Sequence, residues 1–119
     1  MFCVASRYQV SPRNLAKMVR AFGEQLIAQL SRQPGFRVSM FLSKLDGESV
    51  VLSLWDSKEQ ASVWAQNPEH KELEARLETL LAGASKEDHY EVQATGFSMP
   101  VPAKTMRATT SKVPDVLLV

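Results

Sequence analysis

Apolar and polar positions alternate from Phe2 to Val10. Phe2, Val4, Tyr8 and Val10 share one face with Ser6, and Cys3, Ala5, Arg7 and Gln9 fill the other. A period of two predicts a half-buried strand. Ser11-Pro12 then reads as an N-cap followed by proline at the first helical position, where its missing N–H costs nothing. Leu15, Val19, Phe22, Leu26 and Leu30 recur at helical spacing and form one narrow stripe. Gly23 weakens the middle of that helix by ~1 kcal/mol relative to alanine, and Pro34-Gly35 ends it. Phe36 to Leu45 alternates again, with Phe36, Val38, Met40 and Leu42 on one face and Arg37, Ser39, Phe41 and Ser43 on the other. Asp46-Gly47 predicts a tight hairpin, because both residues tolerate positive φ. Val50 to Trp55 returns as a mostly apolar strand. Asp56 or Ser57 caps the next helix, with Glu59 or Gln60 at the capping-box position. Asn67-Pro68 breaks and restarts it, and Leu73, Leu77, Leu80 and Leu81 form a second stripe closed by Gly83. His89 to Phe97 is predicted as a fourth strand, with Tyr90, Val92 and Ala94 on one side.

The predicted order is β-α-β-β-α-β, the split βαβ or ferredoxin-like pattern. It implies an α+β fold with a four-stranded antiparallel sheet and the helices on one face. The sheet's other face is then expected to carry Cys3, Ala5, Phe41 and Phe97. That is too apolar for open solvent, and a second subunit covering it predicts a homodimer formed sheet to sheet. Beyond Phe97 the periodicity stops until Val116-Leu117-Leu118-Val119. The expected division is one domain over residues 1–98 and an extended tail over residues 99–119.

Composition narrows the function classes. A chain of 119 residues, 45% apolar and 23% charged, suits one globular domain that folds without disulfides or a structural metal. The formal net charge is +1, which gives no global cue for nucleic acid or an anionic membrane. Cys3 is the single cysteine, so no disulfide forms within the chain, which fits a reducing compartment. No apolar run reaches transmembrane length, and Met1 to Arg7 does not read as a signal peptide. The expected location is the cytoplasm. Histidine and cysteine are not clustered as metal ligands, and no glycine-rich loop follows a strand, so neither a metal nor a nucleotide cofactor is expected. Arg13, Lys17 and Arg20 fit a solvated helix face better than a nucleic-acid patch.

Three stretches carry a resemblance: Pro34-Gly35-Phe36 opening the second strand, Trp55-Asp56-Ser57-Lys58-Glu59 closing the third, and Trp64 with Asn67-Pro68-Glu69-His70 behind it. In that order and at that spacing the chain resembles the antibiotic biosynthesis monooxygenase (ABM) family of the dimeric α+β barrel superfamily, over roughly residues 1–98. The resemblance implies a homodimer whose two sheets form one barrel, with a pocket between sheet and helices in each subunit. Some members oxygenate aromatic polyketides or quinols with dioxygen and no metal or flavin; others degrade haem. The haem-degrading branch uses a first-strand asparagine, a helical tryptophan and a haem-ligating histidine. Here Ser6 stands at the first position, Trp64 fits the second, and Glu74 lies near the third, so haem degradation is disfavoured.

The implied chemistry needs an electron-rich substrate held out of water and groups that bind or accept its phenolic proton. Ser6 and Tyr8 fall on the helix-facing side of the first strand, where a buried hydroxyl must find a partner in backbone or ligand. His70 is the acid/base candidate, since histidine titrates near neutrality, and the helix start would lower its pKa. His89 is expected as an exposed turn residue. Trp55 and Trp64 could stack on a flat substrate, with Phe22, Phe36 and Met40 lining the same cavity, although large aromatics also build cores. Expected partners are a small aromatic molecule and dioxygen. The same pocket could instead serve a non-catalytic binding or sensing module.

Overall fold

Strand β1 (Phe2–Gln9) forms over the first alternating stretch and occupies the middle of a sheet. It pairs antiparallel with β3 (Glu48–Trp55) on one side and with β4 (Lys86–Glu91) on the other, while β2 (Phe36–Ser43) pairs with β3 at the edge. The computed structural model describes residues 1–96 and gives the strand order β2-β3-β1-β4. The chain passes from β1 through α1 (Leu15–Ala21), a π-helical turn (Phe22–Leu26) and α2 (Ile27–Leu30) to β2 and β3. It continues through α3 (Lys58–Ala65) and α4 (Pro68–Leu77) to β4. This is the ferredoxin-like α+β arrangement expected from the sequence. Residues 99–119, read as a tail, lie outside the described residues, as does Phe97. Among the described residues, no helix is long and apolar enough to cross a membrane.

One extra residue in β2 overturns part of the expected face assignment. Phe36 stands opposite Trp55 and Val38 opposite Leu54, so Arg37 is bulged out of the register. Side chains alternate with period two, and one inserted residue therefore swaps the faces of everything beyond it. Ser39 and Phe41 turn toward the helices, and Val38, Met40 and Leu42 turn away, each more than 40% exposed. Phe41 is thus not on the outer face, and Met40 does not reach the cavity between sheet and helices. The register places Leu52 and Leu54 beside Met40 and Val38 on that outer face, with Cys3 and Tyr90 on the neighbouring strands. The outer face is more apolar than the sequence pattern predicts.

Two glycines permit the tight connections. Gly47 has φ +93° and closes the hairpin by donating its N–H to Lys44 O at 2.9 Å. Its carbonyl accepts from Val10 N–H at 3.0 Å, and a Cβ there would lie 1.8 Å from Val10 O. Gly35, at φ +83°, accepts from Asp56 N–H at 2.8 Å and so ties the start of β2 to the end of β3.

The helices cover the opposite face. Met18, Ala21 and Leu30 are buried, whereas Val19, expected in the stripe, is 46% exposed. The π turn between α1 and α2 widens the helix and breaks the strict 3.6-residue phase on which that stripe depended. Ser11 precedes a 3-10 turn (Pro12–Asn14) and makes no side-chain cap. Ser57 does cap α3, accepting from Gln60 N–H at 3.2 Å. Asn67 caps α4, accepting from Glu69 N–H at 2.8 Å and His70 N–H at 3.3 Å. Phe2, Leu30, Trp55, Ala61 and Trp64 form the core against which Val4, Leu26, Ile27 and Phe36 pack. Strand β4 begins earlier than expected and ends at Glu91, and its inward positions are Glu87, His89 and Glu91 rather than an apolar series.

Candidate functional site

Between the sheet and the helices lies a recess of about 50 Å³. From β1 it receives Val4, Ser6 and Tyr8; from α3 and α4, Trp64, His70 and Glu74; from β4, Glu87. Ser39 and Ser53 form its floor on β2 and β3. Ser6, Tyr8, Trp64 and His70 therefore converge, although Ser6 and His70 lie far apart in sequence. Alternation along β1 brings Ser6 and Tyr8 inward. The Asn67 cap places His70 in the first turn of α4, and Arg32 Nη2 ties that turn to the end of α2 by bonding both Glu69 carboxylate oxygens at 3.1 and 3.3 Å.

Trp64 and His70 form the central pair. Their ring centroids are 4.3 Å apart and their planes are inclined by 34°. Trp64 is buried, and the His70 side chain is 19% exposed. Burial pushes the imidazole pKa below its ordinary value, while the nearby carboxylates of Glu74 and Glu87 pull it back up. The net effect keeps His70 neutral at neutral pH. Its Nε2 lies 3.8 Å from Glu74 Oε2, longer than a hydrogen bond. Its Nδ1 is buried and has no hydrogen-bond partner. Burial also pushes the Tyr8 phenol up; the nearby Ser6 hydroxyl works against this, and the charges of Glu74 and Glu87 add to it. Tyr8 is accordingly a neutral phenol, able both to donate and to accept.

The remaining aromatic candidates separate into different roles. Trp55 is fully buried, packs edge to face against Phe36 at 5.6 Å, and donates its Nε1–H to Ser53 Oγ at 3.0 Å. Phe22 meets Phe41 edge to face at 5.5 Å, away from the recess. Met40 faces outward, as the bulge requires. A second recess of about 50 Å³ shares Trp64 and His70 with the first and is lined also by Phe2, Trp55, Ala61 and His89. His89 is exposed as expected, but it lies within the strand rather than in a turn, and its ring meets Phe2 at 5.6 Å. Each recess has room for no more than a few water-sized molecules, and admitting an aromatic ring requires side chains to move or the two spaces to join.

Sequence reasoning did not select four of the polar residues as site lining. Glu74 was recoverable, since it lies one helical turn after His70 and so shares its face. Ser53 was recoverable from the alternation of Val51, Ser53 and Trp55. Ser39 was hidden by the bulge, and Glu87 by the displaced fourth strand. Among the described residues, no group of histidine, cysteine and carboxylate side chains is arranged to hold a metal ion.

The model of one protein family, described as antibiotic biosynthesis monooxygenase, matches residues 1–76. Among solved structures, a monooxygenase from the gene ActVA-Orf6 of Streptomyces coelicolor, in complex with nanaomycin D, superposes with a TM-score of 0.71 at 22% identity. The match covers 82% of this chain and 91% of that one. SnoaB, a cofactor-independent oxygenase from Streptomyces nogalater, gives 0.64 at 18% identity, covering 79% and 94%. Rv0793 from Mycobacterium tuberculosis gives 0.67 at 18% identity, covering 81% and 98%. At these identities the structural likeness establishes the fold. No curated protein gives a significant match.

Proposed function

The chain belongs to the antibiotic biosynthesis monooxygenase family, and we propose that it is a cofactor-independent monooxygenase acting on a phenolic or quinol small molecule. The observation that carries this reading is a partly buried, neutral imidazole with a buried, unpartnered Nδ1, packed at a tilt against Trp64 and lining the recess that also gathers Ser6 and Tyr8. A phenolic substrate brings the proton that such a nitrogen accepts. For an anthrone-type methylene the reaction balances as R₂CH₂ + O₂ → R₂C=O + H₂O. One oxygen atom enters the carbon and the other leaves as water, and the substrate supplies all the electrons. No flavin, metal or nicotinamide is required. His70 accepts the phenolic proton, Tyr8 and Ser6 orient the ring oxygens, and Trp64 forms a flat wall against the ring.

The proposed assembly is a homodimer in which a second copy covers the outer face of the sheet, where Val38, Met40 and Leu42 are exposed. Cys3 then lies in that interface as a thiol, in keeping with a cytoplasmic setting. The functional test uses a panel of quinols and anthrones in air-saturated buffer, with labelled dioxygen and mass spectrometry of the products. Turnover with one labelled oxygen in the product is expected. His70→Ala should lower it by ~10²–10⁴-fold, the usual contribution of a general base. Equal turnover by both proteins overturns the site. A panel member that binds tightly without reacting makes the protein a binding module.

A further inference from the structure

We infer that Glu74 is a positioning residue: it holds His70 in the tautomer protonated on Nε2 and leaves Nδ1 as the acceptor for a hydroxyl of the bound molecule. The ligand half of this inference rests on the reading of the recess as a phenol site; the tautomer half does not. Two buried side-chain atoms lack partners among the described residues, Gln29 Oε1 and His70 Nδ1, and His70 is the one that lines the recess. A neutral imidazole has one donor and one acceptor nitrogen. Glu74 Oε2 lies 3.8 Å from Nε2, one helical turn along α4. An ionised carboxylate only accepts, so it attracts an N–H directed at it and repels a lone pair. The proton therefore belongs on Nε2.

That choice fixes the chemistry of the other nitrogen. Nδ1 carries a lone pair in a buried position with no protein donor, and a buried polar atom without a partner is destabilising. A ligand O–H completes it; a ligand that only accepts does not. The close, tilted packing against Trp64 restrains the ring, so exchanging the nitrogens means breaking that contact. The other titratable groups facing the site are Glu87 from β4 and the Tyr8 phenol from β1, beside the hydroxyls of Ser6, Ser39 and Ser53. Glu87 adds negative charge, and its variant tests whether charge alone suffices.

The experiment is long-range ¹H–¹⁵N NMR of the labelled full chain at mildly alkaline pH, with thermal melts to verify folding. The unmodified protein should show His70 as the Nε2–H tautomer. Glu74→Leu, at a half-exposed position, should fold and lose that preference, while Glu87→Leu should keep it. Added 2-naphthol should shift Nδ1 and bind about tenfold more tightly than 2-methoxynaphthalene, the worth of one hydrogen bond. An Nδ1–H ring in the unmodified protein, or a tautomer unmoved by Glu74→Leu or moved equally by Glu87→Leu, overturns the role of Glu74. A ring with the expected tautomer response that ignores 2-naphthol overturns the phenol site alone.

Discussion

Arg37 clasps Asp56 through two hydrogen bonds, Nε to Oδ1 at 2.6 Å and Nη2 to Oδ2 at 2.9 Å, from the residue at which β2 bulges. The pair explains why the bulge sits there. The extra residue sends its guanidinium to the carboxylate that follows β3, and the hydrogen bonds from Arg37 hold the Asp56 pKa below its ordinary value. Past this point β2 presents Ser39 and Phe41 to the helices and Met40 to the outside.

The inverted faces predict contrasting mutants. Met40→Asp should leave the monomer folded and dissociate the proposed dimer, because an unpaired charge in an apolar interface costs several kcal/mol to desolvate. Phe41→Ala should leave the dimer intact but lower stability by about 2 kcal/mol, less than the ~3–5 kcal/mol for a fully buried phenylalanine. Sedimentation and chemical denaturation separate the two outcomes. A monomeric unmodified protein would remove the case for the interface.

Trp55 should behave as core rather than as a substrate platform. It is fully buried beside Phe2, Leu30 and Trp64. Trp55→Ala should cost ~3–5 kcal/mol. Trp55→Phe should cost less, but it removes the donor to Ser53 Oγ, a bond worth ~1 kcal/mol. Urea midpoints measure both. A Trp55→Ala protein of unaltered stability would contradict the packing.

The element order was legible because strand and helix periods alternate cleanly and the punctuation is strong. Gly35, Gly47, Ser57 and Asn67 all stand at real boundaries. The face of β2 was not legible, because a bulge leaves the alternation intact in sequence while shifting it in space; only the pairing of β2 with β3 reveals it. The fourth strand was misplaced because an edge strand can carry charges on both faces, so Lys86 to Glu91 offered no apolar alternation. In the recess, Ser6 and Tyr8 followed from strand period and His70 from its cap. Glu87 depends on the pairing of β4 with β1, which no local pattern encodes.

The Asn67 cap should couple stability to site geometry. Asn67→Ala leaves Glu69 N–H and His70 N–H without their acceptor and should cost ~1 kcal/mol. Asn67→Asp should restore most of it, since aspartate caps equally well and its charge suits a helix start. Thermal melts of the three proteins give the comparison. An Asn67→Asp protein no better than the alanine variant would show that the side-chain amide, not the cap, matters.

Acid sensitivity near neutrality should come from His70. Its folded-state pKa lies below the ordinary value of 6.5, with burial the largest cause. Above that value the imidazole is neutral in folded and unfolded chains, and it contributes no pH dependence. As the pH falls below it, the unfolded chain takes up a proton that the folded chain resists, so stability declines by at most about 1.4 kcal/mol per pH unit. Asp56 acts in a separate window, because its depressed pKa makes the Arg37 contact fail only as the pH drops through the carboxylate range. His70→Asn should therefore flatten the stability profile just below 6.5 and leave the lower limb unchanged. Glu74→Gln should do the reverse: removing a carboxylate that raises the His70 pKa lowers it further and extends the decline to more acidic pH. If His70 accepts the substrate proton, the acid limb of kcat should move the same way in Glu74→Gln, toward lower pH. Denaturation midpoints across pH check the first effect and turnover the second. A His70→Asn profile that keeps the unmodified slope would assign the near-neutral sensitivity to another group.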